Sequence, residues 1–262
     1  MLFCDTRLMP LRLCTTLHLG QNRAHAQSHP VASMTSKIKG ISSMATRLVL
    51  AELAQAYEQR SGQRVVIESV GGVDAAKRVQ AGEPLDVVFL ASDAIDKLVA
   101  PACVVAGSKV DLVRSGVAVA VRAGAPRPDI STEDALRQVV RAARSICYST
   151  GPSGVALGKL FQSWGIADEI QGRIVQAPPG VPVGELVACG EVEIGFQQLS
   201  ELMHLPGIAI LGPLPSSIQI ITTFSAGVCT TASQADAVRA MLDFMKSPDA
   251  DDAKRRQGME PA

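Results

Sequence analysis

From residue 37 onward, short continuous apolar runs alternate with segments in which apolar residues recur at the helical period. The run Leu85–Leu90 is apolar apart from Asp86, which is typical of a strand buried on both faces. The segment Leu48–Arg60 places its apolar side chains on one helix face, which consists of Val49, Leu50, Leu53 and Tyr57. Apolar strands separated by helices of this length predict parallel sheets with helices packed on both sides.

The same pattern predicts the remaining elements. Further strands are expected at Lys37–Ile41, Arg64–Ile67, Val117–Val121, Arg144–Tyr148, Gly172–Val175, Val192–Phe196 and Ile208–Leu211. Further helices are expected at Asp74–Gln80, Ala232–Met245 and near 131–142, 153–164 and 183–189.

Two β-rich stretches, Val110–Val121 and Ser216–Phe224, each lie next to a loop rich in glycine and proline. A pair of such stretches predicts two crossings between lobes. We therefore expect a two-lobed α/β fold, with one lobe formed by residues 37–118 and 222–262 and the other by residues 119–221. Ligands of such folds bind at the carboxyl ends of strands, which here means the cleft between the lobes.

Residues 1–36 differ from the rest of the chain. Arg7 and Arg12 accompany a modestly apolar stretch, and Ala24-His25-Ala26 matches a secretory cleavage site. This segment is predicted to be a signal peptide, which implies a periplasmic protein. The alternative is a disordered N-terminal extension.

Composition excludes several classes of protein. The chain is 47% hydrophobic, so it is not intrinsically disordered. Lys and Arg together number 25, as do Asp and Glu, so no basic surplus favours nucleic-acid binding. No run of about 18 apolar residues predicts a membrane span. The sequence contains no paired Cys/His spacing, so no metal site is expected. Three cysteines are predicted to be buried thiols, namely Cys147, Cys189 and Cys229.

Six strand-to-helix turns carry small or hydroxyl residues, and such turns leave backbone N–H groups available to an anion. Ser42 and Ser43 end the first strand, and Gly72 lies in the second turn. Ordinary helix capping accounts for any one of these turns, whereas a series from both predicted lobes favours an anion-binding cleft. Arg47 and Lys77 are the cations that we expect to meet a carboxylate there.

Three strings carry a family resemblance: Ile38–Thr46, Ala76–Gly82 with Asp86–Phe89, and Gly190–Phe196. In them the chain resembles the periplasmic molybdate-binding proteins, which have the type II solute-binding fold and bind oxyanions through hydroxyls and backbone amides. The resemblance implies ligand contacts at Ser43, Ala91 or Ser92, Ser153, Val181 and Gln198. Gln198 departs from the family, which has a tyrosine at that position.

Within this family, the Gly40–Arg47 and Phe196–Glu201 strings are similar to those of the bacterial aconitate isomerases. That resemblance implies the interconversion of trans-aconitate and cis-aconitate without a cofactor. The reaction needs a base and an acid, for which the candidates are Asp74, Lys77 and His204. His204 is also explained by a surface or capping role at a helix end. The alternative function is a periplasmic binding protein that delivers molybdate or another small anion to an ABC transporter.

Overall fold

The computed structural model describes residues 37–178 and 180–262. The N-terminal segment that was predicted to be a signal peptide or extension lies outside these residues, as does Pro179. Ten strands alternate with ten helices in the described part. The strands are β1 Ile38–Ser43, β2 Val65–Val70, β3 Val87–Ala91, β4 Val110–Arg122, β5 Ile146–Tyr148, β6 Ile174–Gln176, β7 Ile194–Gln198, β8 Ile208–Pro213, β9 Ile221–Val228 and β10 Glu260–Pro261. The helices are α1 Arg47–Ser61, α2 Gly72–Gln80, α3 Ser92–Val99, α4 Glu133–Ala142, α5 Pro152–Ser163, α6 Ala167–Ile170, α7 Val183–Cys189, α8 Leu199–Leu202, α9 Ala235–Lys246 and α10 Asp251–Arg256.

The first group of strands has the order β2-β1-β3-β9-β4. Strands β2, β1 and β3 run parallel, so that Ser42 is level with Ser69 and Phe89. Their carboxyl ends therefore lie at one edge of the sheet, where α1, α2 and α3 begin. Strand β9 returns antiparallel between β3 and β4.

The second group continues from the other half of β4, with β7, β5 and β6 in that order and β8 also paired with β4. Strands β5, β6 and β7 are parallel, whereas β7 and β8 are antiparallel to β4. The long strand β4 belongs to both groups. The expected parallel sheets are thus confirmed on both flanks, and the strands that connect them are antiparallel.

The core confirms the predicted face of α1, since Val49, Leu50, Leu53 and Tyr57 are all buried. The buried Asp86, within one of the family strings, is a fixed structural carboxylate. It accepts hydrogen bonds from the backbone N–H of Lys39 and of Ser233, each at 2.8 Å, and so ties the start of β3 to β1 and to the chain before α9.

Some details of the sequence predictions were wrong. Gly172 and Arg173 lie in a 3₁₀ turn, and β6 begins only at Ile174. The stretch predicted from Ser216 also starts with a 3₁₀ turn before β9. Cys189 is exposed, because it ends α7 next to solvent, whereas Cys147 and Cys229 are buried as expected. In the described part of the chain, no helix is both long and apolar enough to cross a bilayer.

Candidate functional site

The turn after β1 contains a buried hydroxyl that forms no hydrogen bond within the described residues, namely that of Ser43. Ser43 precedes a 3₁₀ turn, Met44–Thr46, and α1 follows directly. Its side chain does not cap this turn, although a serine in that position commonly does. A buried polar atom without a partner calls for an explanation. Together with the free N–H groups of the turn, this hydroxyl suits an anionic oxygen of a ligand.

Ser42, the other serine predicted to bind ligand, has a hydrogen-bond partner within the protein. Its hydroxyl lies 2.8 Å from the hydroxyl of Ser69 and so links β1 to β2. The two neighbouring serines therefore differ, because one hydroxyl has a protein partner and the other has none.

The structure brings two further predicted positions to this turn. A Cβ added to Gly72 would lie 3.6 Å from the Cβ of Ser43, so α2 begins against the end of β1. A Cβ on Gly71 would lie 3.9 Å from the backbone nitrogen of Gly180, the residue before Val181. The loop before α7 thus reaches the start of α2, which itself begins against Ser43.

The other predicted contacts lie at helix starts. Ser92 begins α3 at the carboxyl end of β3 and is half-buried, and Ser153 is buried in the first turn of α5. The turn before α5 is tight, because a Cβ on Gly154 would lie only 1.7 Å from the carbonyl oxygen of Ser149. Only glycine permits that approach at this position.

Gln198 ends β7 and precedes α8, and its side chain lies against the connecting strands. In the amide orientation that satisfies both ends, its nitrogen donates to the carbonyl oxygen of Ser115 at 3.0 Å. Its oxygen then accepts from the hydroxyl of Thr222 at 2.9 Å. The side chain therefore joins β7 to β4 and β9, close to where these strands link the two strand groups.

The three predicted proton carriers are not brought together. Asp74 is exposed in the first turn of α2, and its Oδ2 lies 3.3 Å from the Cβ position of Gly71, beside the start of its own helix. Lys77 is exposed one turn further along that helix. His204 is exposed beyond α8, and its Nε2 lies 3.0 Å from Oε1 of Gln257.

Sequence reasoning missed Glu201, which lies in α8 directly after β7. Nε2 of the buried Gln197 donates to its carboxylate at 2.8 Å. Burial raises the pKa of Glu201 to about 7, while the hydrogen bond from Gln197 and the charge of Arg47 act in the opposite direction. The hydroxyl of Ser200 donates to the carbonyl oxygen of Ala45 at 3.0 Å and fixes α8 against the turn that follows Ser43.

Besides the Ser43 hydroxyl, the side chain of Gln197 contains a second buried polar atom, Oε1, without a hydrogen-bond partner among the described residues. The Gln197–Glu201 spacing of four residues, directly after an apolar strand, was the signal available in the sequence. That spacing carried no information about the surroundings of the carboxyl group, which raise its pKa.

Residues 37–178 and 180–262 hold no group of three or more His, Cys, Asp or Glu side chains that is arranged to bind a metal ion. The chemistry available at the site is that of hydroxyl, amide, carboxyl and guanidinium groups.

Comparisons with known proteins show the family and the fold of this chain. The family model described as bacterial extracellular solute-binding protein matches residues 38–260. A protein from Pseudomonas sp. named aconitate isomerase is 38% identical over 239 residues, which cover 89% of this chain and 90% of that protein.

Among solved structures, the fold is similar to that of the periplasmic molybdate-binding protein of Azotobacter vinelandii. The TM-score is 0.71 at 22% identity, over 85% of this chain and 98% of the other. A sulfate-binding protein from Mycobacterium tuberculosis also has a TM-score of 0.71, at 16% identity, over 87% of both chains. These likenesses confirm the predicted periplasmic binding protein fold.

Proposed function

The chain belongs to the bacterial extracellular solute-binding protein family, and from that premise we propose that it is an isomerase of trans-aconitate and cis-aconitate. The observation that carries the proposal is the turn after β1, where the buried hydroxyl of Ser43 has no partner among the described residues and Arg47 begins α1. The half-buried Glu201 lies in α8, which Ser200 holds to the same turn. The likeness to a protein named aconitate isomerase supports the choice of substrate.

The substrate chemistry fits these groups. A tricarboxylate brings several anionic oxygens, which hydroxyl and N–H donors bind well and a guanidinium binds more strongly. An allylic shift spreads negative charge onto a carboxylate as the proton leaves, and preorganised donors at helix starts stabilise such charge. No cofactor is needed for this step.

We propose that the substrate lies between the lobes formed by residues 37–118 with 222–262 and by residues 119–221. The contacts in that cleft would come from Ser43, Gly72, Ser92, Ser153 and the backbone at Val181. The proposal includes a periplasmic location after removal of the N-terminal segment, in keeping with the family. Mass analysis of the protein from cell fractions tests that location, and an uncleaved cytosolic chain would contradict it.

A transport-type binding protein is the second candidate, supported by the similarity to molybdate- and sulfate-binding structures. Such proteins hold a ligand without changing it, and the fold alone does not separate the two functions.

Incubation of the purified protein with trans-aconitate in heavy water separates the candidates. We expect proton NMR to show cis-aconitate accumulating and deuterium entering the carbon skeleton. Calorimetry with trans-aconitate and with molybdate measures binding in parallel. Saturable binding without turnover would favour transport, and tight molybdate binding without any response to trans-aconitate would overturn the proposed function.

A further inference from the structure

We propose that Glu201 is the catalytic group that carries the proton in this isomerisation, an inference that rests on the proposed function. The residue was not among the candidates that the sequence offered. Three independent structural features support the assignment: its place beside the turn that follows Ser43, its fixed orientation, and the surroundings of its carboxyl group.

The first feature is position. Helix α8 starts directly after β7 and is held to the turn after Ser43 by the 3.0 Å hydrogen bond from Ser200 to Ala45. Arg47, at the start of α1, is close enough to Glu201 to lower its pKa. The helix that carries Glu201 therefore lies against the turn that follows Ser43, beside the place where we expect a carboxylate of the ligand.

The second feature is orientation. One carboxylate oxygen, Oε2, accepts the hydrogen bond from Gln197, whose side chain is only 2% exposed and so cannot move freely. The other oxygen, Oε1, receives no hydrogen bond from a described residue, which leaves it available to a substrate proton. Gln197 is a positioning residue in this arrangement, and its own buried Oε1 is a free acceptor next to the same site.

The third feature is the environment. Burial weakens the preference of Glu201 for its charged form and so makes it a stronger base than an exposed carboxylate. A base whose pKa lies near the working pH exchanges protons most effectively. Asp74 and Lys77 are exposed, and His204 is paired with Gln257, so none of the earlier candidates has comparable surroundings.

The step balances without a co-reactant. The carboxylate of Glu201 takes a proton from the methylene carbon, and the electron pair of that C–H bond forms the new double bond. The electron pair of the old double bond takes up a proton at the far carbon of the allyl system, and the protonated Glu201 can supply it. The carboxylate is then restored, and the product has the same composition as the substrate.

The decisive variant is Glu201→Gln, whose side-chain oxygen can still accept the hydrogen bond from Gln197. We expect isomerisation of trans-aconitate to fall at least about 100-fold, as is typical when a general acid–base group is removed. Binding of trans-aconitate, measured by calorimetry, should stay within about tenfold of the parent protein, since no cation is lost. Exchange of the methylene protons with heavy water should stop in parallel.

Glu68→Gln is the matched control, because Glu68 is an exposed carboxylate that forms an ion pair with Arg78 at 2.8 Å and is not among the proposed ligand contacts. It should turn over trans-aconitate at the parent rate. Glu201→Asp, which keeps the charge but shortens the side chain, should retain part of the activity lost in Glu201→Gln. If the parent protein neither binds nor converts trans-aconitate, the proposed function fails. If the parent is active and Glu201→Gln keeps more than about a tenth of its rate, the assignment of Glu201 alone fails.

Discussion

Two arginines, one at the start of α1 and one in the last turn of α2, have opposite surroundings. Arg78 is held by Glu68 at 2.8 Å and by Glu83 at 2.6 Å, and its hydrogen bonds lower the pKa of both carboxyl groups. Arg47 is exposed and forms no ion pair with a described residue, and its charge opposes the rise that burial gives to the pKa of Glu201.

This difference shows that Arg78 has a structural role, whereas the charge of Arg47 is available to a ligand. The charge of Arg78 is satisfied by two carboxylates, which are themselves ionised and stable in that state. Arg47 has no such carboxylate partner among the described residues, so its charge can pair with an incoming anion. In the sequence, Arg47 follows the serine-containing turn before α1 and Arg78 follows the glycine turn before α2, and only their partners distinguish the two.

Among the tests of the contrast between Arg47 and Arg78, we expect Arg47→Ala to have the largest effect. Charge-assisted hydrogen bonds contribute about 1.5–3 kcal/mol, so we expect kcat/KM for trans-aconitate to fall about 10- to 150-fold. The loss of the positive charge should also raise the pKa of Glu201 further, because Arg47 lowers it. The rise of kcat/KM with pH should therefore move to higher pH, which steady-state kinetics between pH 5 and 9 can measure.

Arg78→Ala is the control for that variant. It should leave kcat/KM nearly unchanged and lower the melting temperature slightly. Salt screens ion pairs at the surface, so the difference in melting temperature between parent and variant should shrink at high salt. Equal losses of activity in the two variants would remove the distinction between the two arginines.

The pH dependence of stability tests the other half of the contrast, Glu201 itself. Its pKa is about 7 in the folded protein against 4.5 for a free side chain, so the folded state binds the extra proton between these values. The free energy of unfolding should consequently decrease as pH rises from about 4.5 to 7, by up to about 3 kcal/mol from this group.

Glu201→Gln removes that contribution. Urea unfolding should show the variant and the parent equally stable near pH 4.5, and the variant more stable at pH 8. Identical pH profiles for the two proteins would mean that Glu201 is solvated, which would also weaken its role as a base.

The fold was predictable because its signals are local. The apolar face of α1 and the continuous run of β3 depend on spacing alone, and both are found as expected. The antiparallel placement of β9 between β3 and β4 was not predictable in this way, since pairing depends on which strands the tertiary fold brings together. The 3₁₀ turn at Gly172 was not predicted either. The β-branched residues Ile174 and Val175 indicate a strand, but they do not show where that strand begins.

The candidate site was predictable only in part, for the same reason. Ser43 and Gly72 follow from the rule that ligands bind where strands end and helices begin. Glu201 and Gln197 do not, because α8 is only four residues long and shows no period, and their significance comes from burial. Ser42 and Ser43 look alike in the sequence, yet the chain supplies a partner to one hydroxyl and not to the other.

That pair of serines provides the most sensitive test of what distinguishes the site from its surroundings. Ser43→Ala removes a buried hydroxyl without a protein partner, so stability should not fall, whereas binding of trans-aconitate should weaken about 2- to 12-fold for the loss of one neutral hydrogen bond of about 0.5–1.5 kcal/mol. Ser42→Ala breaks the bond to Ser69 and should lower the free energy of unfolding by a similar amount. Urea unfolding and calorimetry on both variants measure the two effects separately. A loss of stability in Ser43→Ala with unchanged affinity would assign that hydroxyl to the fold, and the turn after β1 would then no longer support a ligand site.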